Sequence, residues 1–141
     1  MRPVSHTLIE HIRAPIEEVF AALTDPSRLE RWLPGCSAVL GDGPLAKGAR
    51  LRAQFGSRMA ELNIVDYRPP NTFGWVEQGQ RNGWKTFFKL DPTSGATAVT
   101  IREVWTPTSI LGWVRGRFLQ KRDVHRHLKQ ILHNLRALLT P

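Results

Sequence analysis

The chain has 141 residues, which is enough for one domain with a substantial buried core. Twenty lysines and arginines against twelve acidic residues give a net charge of +8, so the protein should attract anions in general. The single cysteine, Cys36, excludes an internal disulfide, and a reducing, cytoplasmic location is expected. No apolar run approaches the roughly 18 residues of a membrane span, and residues 1–13 lack the pattern of a signal peptide.

The first part of the chain is predicted to form one strand and two short helices. Val4–Ile12 is rich in residues that favour strands. Pro15 suits the start of a helix because its φ is fixed and it has no N–H to pair. The apolar stripe of this helix comprises Ile16, Val19, Phe20 and Leu23. Asp25 and Pro26 repeat the start signal, and the second helix is predicted to end near Trp32.

Six further strands are predicted, and the turn-length connections between them indicate an antiparallel meander. They are Ser37–Leu40, Ala49–Phe55, Met59–Arg68, Thr72–Gln78, Asn82–Leu90 and Thr97–Trp105. The segment Ser109–Leu139 is predicted to form one long amphipathic helix. Its apolar face comprises Leu111, Val114, Phe118, Leu128, Ile131, Leu132, Leu135 and Leu139.

The predicted fold class is therefore α+β. A seven-stranded antiparallel sheet wraps around the long C-terminal helix, which is the only long element able to cover its apolar face, and the two short helices lie between the first two strands. Because such a curved sheet seldom closes tightly on its helix, a cavity is expected between them.

Several stretches of the sequence resemble the START-like superfamily, also called SRPBCC, to which the polyketide cyclases belong. The stretches that resemble its opening are Ile12–Phe20, Leu23–Pro26 and Trp32, while Asp66–Trp75 resembles its mid-sheet turn and Gly95–Trp105 its last strand. The resemblance covers nearly the whole chain and implies a single domain over residues 1–141 with the helix-grip fold. The superfamily also includes lipid-transfer domains, hormone-binding allergens and chaperone activators, so the fold does not choose the activity.

Candidate site residues follow from strand parity, since alternate residues of a strand share a face. The candidate ligand-binding residues are Glu10, Phe55, Phe73, Trp75, Glu77, Trp84, Phe88 and Trp105 from the sheet, with Phe118 and Lys121 from the long helix. Glu103 shares the predicted inward face of the last strand, and His125 is predicted to face it from the helix. These two are the candidate catalytic acid and base, because a desolvated glutamate has a raised pKa and an imidazole exchanges a proton near pH 7.

An alternative interpretation is that Glu77 and Glu103 lie near the open rim of the pocket and pair with arginines such as Arg52 or Arg102. The leading functional prediction is a carrier, sensor or store for a small hydrophobic or aromatic molecule. A cyclase or dehydratase, and a domain that docks an acidic protein through its basic helix, stay open as alternatives. No recognition motif accompanies the basic residues, so nucleic acid is not an expected partner. No HExxH motif or cysteine cluster indicates a metal, and no cofactor is predicted.

Overall fold

A computed structural model describes residues 2–41, 43–79, 81–107 and 121–140. Its strands are β1 (Val4–Ile12), β2 (Cys36–Gly41), β3 (Arg50–Phe55), β4 (Arg58–Arg68), β5 (Thr72–Gln78), β6 (Lys85–Thr93) and β7 (Ala96–Trp105). Its helices are α1 (Ile16–Thr24), α2 (Pro26–Trp32) and α3 (Lys121–Leu139). The predicted α+β class, the seven strands and the two short helices between β1 and β2 are confirmed. The part of the predicted last helix that precedes Lys121 lies outside the described residues.

The sheet is an antiparallel meander that returns to its first strand, with the order β1-β7-β6-β5-β4-β3-β2. From β2 to β7 each strand pairs with the next one in sequence. β1 pairs with β7 at the other edge, from Val4 opposite Trp105 to Ile12 opposite Thr97. In this register His6 lies opposite Glu103, so the two strands bring polar side chains together on the face that α3 covers.

The largest difference from the predicted boundaries is in β6, which begins and ends three residues later than expected. The cause is the hairpin loop of residues 79–84, where Gly79 and Gly83 have φ values of 115° and 82°. Such left-handed backbone is accessible mainly to glycine and ends strand pairing. The loop is tied to Glu77, whose N–H donates to the Trp84 carbonyl at 2.8 Å and whose carbonyl accepts from the Gly83 N–H at 2.8 Å. Arg81 is therefore held close to Glu77.

Both short helices begin where the sequence indicates. Asp25 caps α2 by accepting a hydrogen bond from the Ser27 N–H at 3.0 Å. At the other end of α2, the fully buried Trp32 donates through Nε1 to the Ala22 carbonyl at 3.1 Å. Its ring lies edge-on to Phe88 of the sheet, with 5.6 Å between ring centroids. Trp32 thus packs the short helices onto the sheet.

One continuous hydrophobic core lies between the sheet and the helices, and α3 packs against β1, α1 and α2. The buried side chains of α3 are Val124, Leu128, Ile131, Leu132 and Leu135. The predicted apolar residues Leu111, Val114 and Phe118 lie outside the described residues. Polar residues also occur among the buried positions of the sheet: Glu77, Thr86, Thr97 and Glu103. Because a buried carboxylate is costly unless it is paired, Glu77 and Glu103 mark the candidate site.

Candidate functional site

A cavity of about 210 Å³ lies between the sheet and the helices at the position of the two buried glutamates. Its apolar lining comprises Leu33, Pro34, Phe55, Leu62 and Trp75. Its polar lining comprises Arg58, Glu77, Arg81, Thr86, Glu103 and His127. A cavity of about 150 Å³ is enough for benzene, so this one can hold a single substituted ring.

Glu77 is held between two arginines. Its side chain is only 6% exposed, and Nη1 of Arg58 donates a hydrogen bond to its Oε1. Nε of Arg81 lies 3.8 Å from the other carboxylate oxygen. Arginines do lie beside both glutamates, but the glutamates are buried and not at an open rim, and Arg52 and Arg102 are the wrong partners. Both lie exposed, one position out of phase with the buried residues of their strands.

Glu103 is the most deeply buried carboxyl group of the cavity, with its side chain 2% exposed. Nε1 of Trp84 donates a hydrogen bond to Oε2, and Nη2 of Arg81 lies 3.7 Å from the same oxygen. Trp84 in turn stacks on Trp105, with 4.9 Å between ring centroids and 8° between the ring planes. Burial raises the pKa of Glu103, while hydrogen bonds from Trp84 and Thr86 and the charge of Arg81 oppose that shift. The protonated form is thus favoured relative to a free glutamate.

His127 is the imidazole that faces this carboxyl group. Its Nε2 lies 3.7 Å from Oε1 of Glu103. Burial, and then the positive charge of Arg81, lower the pKa of His127 to about 4. The imidazole is therefore uncharged at neutral pH. Together the two groups present a buried acid beside a neutral base.

His125 does not occupy the predicted position opposite Glu103. Its Nδ1 lies 2.9 Å from Nε2 of His6 on β1, and Lys121 lines a shallow surface pocket with this pair. Lys121 and His125 do share a side of α3, as predicted, but that side faces β1. Two residues along a helix are about 200° apart around its axis, so His125 and His127 flank the apolar stripe of α3 on opposite borders. The prediction of His125 opposite Glu103 is therefore wrong, because His127 lies on the border of the stripe that faces Glu103.

The other predicted residues of the sheet divide between cavity and core. Phe55 and Trp75 line the cavity, as does Glu77. Phe73 and Phe88 are buried behind it, with 6.2 Å between their stacked ring centroids, so they support the cavity without lining it.

Trp84 and Trp105 form the stacked pair beside Glu103. Glu10 is wrongly placed by the prediction, because its Oε2 lies 2.9 Å from Nη2 of Arg136 in a partly exposed ion pair. Although Glu10 has the inward parity of β1, the last turns of α3 meet it at the edge of the sheet. Phe118 lies outside the described residues.

Three ionisable residues of the site are absent from the predicted set, and two of them have a signal in the sequence. Arg58 shares the phase of the buried residues Ala60 and Leu62, but it lies just before the predicted strand Met59–Arg68. His127 borders the apolar stripe of α3. Arg81 had no such signal, because its position depends on the fold of the hairpin loop.

Among the described residues, no three or more histidine, cysteine, aspartate or glutamate side chains are grouped so that they could hold a metal ion. No helix in the described part of the chain is long and apolar enough to cross a membrane.

Comparisons with known proteins place the chain in a family. Residues 3–140 match the family described as polyketide cyclase / dehydrase and lipid transport. No match was found among curated proteins. Among solved structures, protein BH1534 from Bacillus halodurans has a TM-score of 0.77 at 16% identity, with 99% of each chain covered. The Aha1 dimer from Colwellia psychrerythraea has a TM-score of 0.68 at 20% identity, with 99% of this chain and 96% of that chain covered.

DynU16, a protein of the dynemicin biosynthetic locus, has a TM-score of 0.73 at 19% identity. The match covers 96% of this chain but 46% of DynU16, so the chain spans about half the length of that protein. At these identities the solved structures show a shared fold. The match over residues 3–140 goes further, and the chain belongs to the polyketide cyclase/dehydrase and lipid transport family of the START-like (SRPBCC) superfamily.

Proposed function

We propose that the protein binds a small, largely apolar or aromatic molecule in the cavity between its sheet and α3, as a carrier, sensor or store. The observation that carries this proposal is the cavity of about 210 Å³, in which Phe55, Leu62 and Trp75 lie beside a few polar groups. Ligand sites in proteins have this composition, in which apolar walls supply affinity and few polar groups fix the orientation. The family's description, which includes lipid transport, supports the same class of guest.

The volume limits both the size and the affinity of the ligand. An aromatic side chain buries about 150–250 Å² of surface, which corresponds to roughly 4–6 kcal/mol at about 25 cal/mol per Å². Apolar burial alone therefore gives dissociation constants from about tens of micromolar to about a millimolar. Tighter binding requires the polar groups of the cavity wall to contribute.

The test is to replace a residue that lines the cavity by a larger one that fills it. Leu62→Phe places a ring in the cavity, whereas Met59→Phe changes an outward-facing residue of the same strand that is 49% exposed. Calorimetric titration with single-ring aromatic compounds should detect binding to the wild type and to Met59→Phe, and at least a tenfold loss of affinity in Leu62→Phe. Circular dichroism checks that both variants fold. Equal binding by folded Leu62→Phe and wild type would place the ligand elsewhere and reject the proposal.

Acid–base catalysis is a second candidate, favoured by the 3.7 Å approach of His127 to Glu103 and by the opposite shifts of their pKa values. In a dehydration, neutral His127 would take the proton from the carbon next to a carbonyl group. Protonated Glu103 would give its proton to the departing hydroxyl, which leaves as water, and a proton passed from His127 to Glu103 would restore both groups. The description of the family names cyclases and dehydrases, and dehydration is the reaction of a dehydrase.

This candidate is tested with an aromatic β-hydroxy ketone, whose dehydration gives a strongly absorbing conjugated enone. Glu103→Gln and His127→Gln should each lower turnover by about 10²–10⁴-fold, the usual contribution of general acid–base catalysis. His125→Gln is the matched control and should keep the wild-type rate. Binding of the substrate without enone formation by the wild type would reject catalysis of this reaction and leave the carrier function.

A further inference from the structure

Arg81 is a cation of the cavity lining that makes no hydrogen bond to a described carboxylate. Arg58 and Glu77 form a hydrogen-bonded ion pair, so their charges cancel locally. His127 is uncharged at neutral pH, since its pKa is lowered to about 4. Burial raises the pKa of Glu103, and Nη2 of Arg81 lies 3.7 Å from its Oε2. The guanidinium of Arg81 therefore has two carboxyl groups nearby but keeps its N–H donors available to a ligand.

Arg81 is positioned at the cavity without being saturated by its neighbours. Its guanidinium lies 3.8 Å from Glu77 and 3.7 Å from Glu103, both beyond the usual 2.7–3.2 Å of a hydrogen bond. Its carbon Cζ lies over the ring of Trp84, 3.8 Å from the centroid, and this cation–π contact holds the planar group in place. The side chain is 34% exposed, so it can be reached from both the cavity and the solvent.

We propose that the ligand is an aromatic or apolar monocarboxylic acid, whose carboxylate is bound by the guanidinium of Arg81 while its ring lies against Trp75. The proposal rests on the proposed function, that the cavity binds a small apolar molecule. A planar guanidinium presents parallel N–H donors that match the two oxygens of a carboxylate, a pairing that a neutral polar group cannot reproduce.

The two glutamates near Arg81 do not prevent this binding. Glu77 already accepts from Arg58, which offsets its charge. Glu103 in its protonated form carries an O–H, which can donate a second hydrogen bond to a ligand carboxylate. A carboxylate at Arg81 would therefore meet a cation and a carboxyl group whose burial favours the protonated form, within a chain whose net charge of +8 attracts anions.

The experiment compares 4-methylbenzoate with 4-methylbenzamide, which have nearly the same size and differ in charge. Calorimetry at pH 7 and low salt should show the acid binding at least tenfold more tightly than the amide. Arg81→Gln should reduce that ratio of affinities to less than threefold. Arg81→Lys should keep part of the preference for the acid, because lysine retains the positive charge but lacks the parallel N–H donors of a guanidinium. Arg50→Gln is the control, since Arg50 also lies near a glutamate of the sheet but faces outward with its side chain 72% exposed.

The possible outcomes separately test the carboxylate of the ligand, the role of Arg81 and binding in the cavity. Equal affinity of the wild type for the acid and the amide would overturn the carboxylate inference and leave ligand binding in the cavity intact. A preference for the acid that survives in Arg81→Gln would overturn the role of Arg81. Absence of binding by both compounds would overturn the inference, and the Leu62→Phe titration separately decides the proposed function.

Discussion

One face of the sheet contains two regions of opposite chemistry, although the same three strands form both. On β5 the inward residue is aromatic at Phe73 and acidic at Glu77. On β6 the inward residues are Phe88 in one region and Thr86 in the other, and on β7 the polar region holds Glu103. The change from core to site takes place within one or two inward positions along each strand. Strand parity thus determines which side chains face inward, and the position along the strand determines what they do there.

The two regions are also held together differently. In the aromatic region, neighbouring rings among Trp32, Phe73, Trp75 and Phe88 lie with centroids 5.6–6.4 Å apart and are held mainly by packing. In the polar region, each ionisable group depends on a specific neighbour, as Glu77 depends on Arg58. Removing one residue should therefore cost packing in the first region and leave an unpaired charge in the second.

The largest effect is expected in the aromatic region. Phe88→Ala should lower the free energy of unfolding by about 3–5 kcal/mol, because the fully buried ring leaves a cavity that the sheet cannot refill. Chemical denaturation measures this loss. Phe87→Ala, on the half-buried outward side of the same strand, is the matched control and should cost clearly less. Equal losses in the two variants would contradict the inward orientation of the ring.

The next largest effect is expected from breaking the ion pair of the polar region. Arg58→Gln should cost about 2 kcal/mol of unfolding free energy, because it leaves the carboxylate of Glu77 buried without its main partner. Adding Glu77→Gln should recover part of the loss. Arg50→Gln, which removes an exposed arginine 3.9 Å from Glu61, should cost less than about 1 kcal/mol. Similar losses in both arginine variants would show that Glu77 does not depend on Arg58.

The pH dependence of stability should separate the two groups of the acid–base pair. The pKa of His127 falls from 6.5 to about 4 on folding, so protonation favours the unfolded chain and the midpoint of thermal unfolding should fall as pH drops from 6.5 towards 4. The pKa of Glu103 rises above 4.5 on folding, so its contribution has the opposite sign and is lost as pH rises through the folded pKa.

Thermal scans of two variants between pH 4 and 8 measure these contributions. His127→Gln should remove the fall of the unfolding midpoint at acidic pH. Glu103→Gln should remove the fall that occurs as pH rises through the folded pKa of Glu103. If the unfolding midpoint of either variant changes with pH in the same way as that of the wild type, the substituted group has an ordinary pKa in the folded protein.

The smallest effect is expected at the sheet edge. Glu10→Gln removes the charge that pairs with Arg136, but the two side chains are 31% and 47% exposed, and exposed pairs contribute about 0.2–1 kcal/mol. The difference from the wild type should also shrink at high salt. A loss above about 2 kcal/mol, or any effect of Glu10→Gln on 4-methylbenzoate binding, would contradict the placement of Glu10 outside the site.

The inward face of the sheet could be predicted from the sequence because strand parity is a strict alternation. That rule correctly identified Trp75, Glu77 and Glu103 as inward-facing before their partners were known. The helix was harder to predict, because polar residues border both sides of an apolar stripe. Nothing in the local pattern favours His127 over His125 as the one that faces Glu103.

Arg81 could not be predicted for a different reason. Its place in the site depends on the connection between β5 and β6, in which Gly79 and Gly83 have positive φ and which brings the side chain towards β5 and β7. Loop conformation of this kind follows from hydrogen bonds to Glu77 and from the ring of Trp84, which are tertiary contacts.

The pairing of β1 with β7 also has a consequence for how the chain folds during its synthesis. β1 lies at the edge of the sheet with β7 as its neighbour, and Val4 pairs with Trp105. At about 5–20 residues per second, β7 leaves the ribosome several seconds after β1, while β2 to β6 can already pair with one another. During that interval β1 keeps unpaired N–H and C=O groups, the template on which strands of separate chains associate. Conditions that slow translation between β6 and β7 should therefore increase aggregation of the nascent chain.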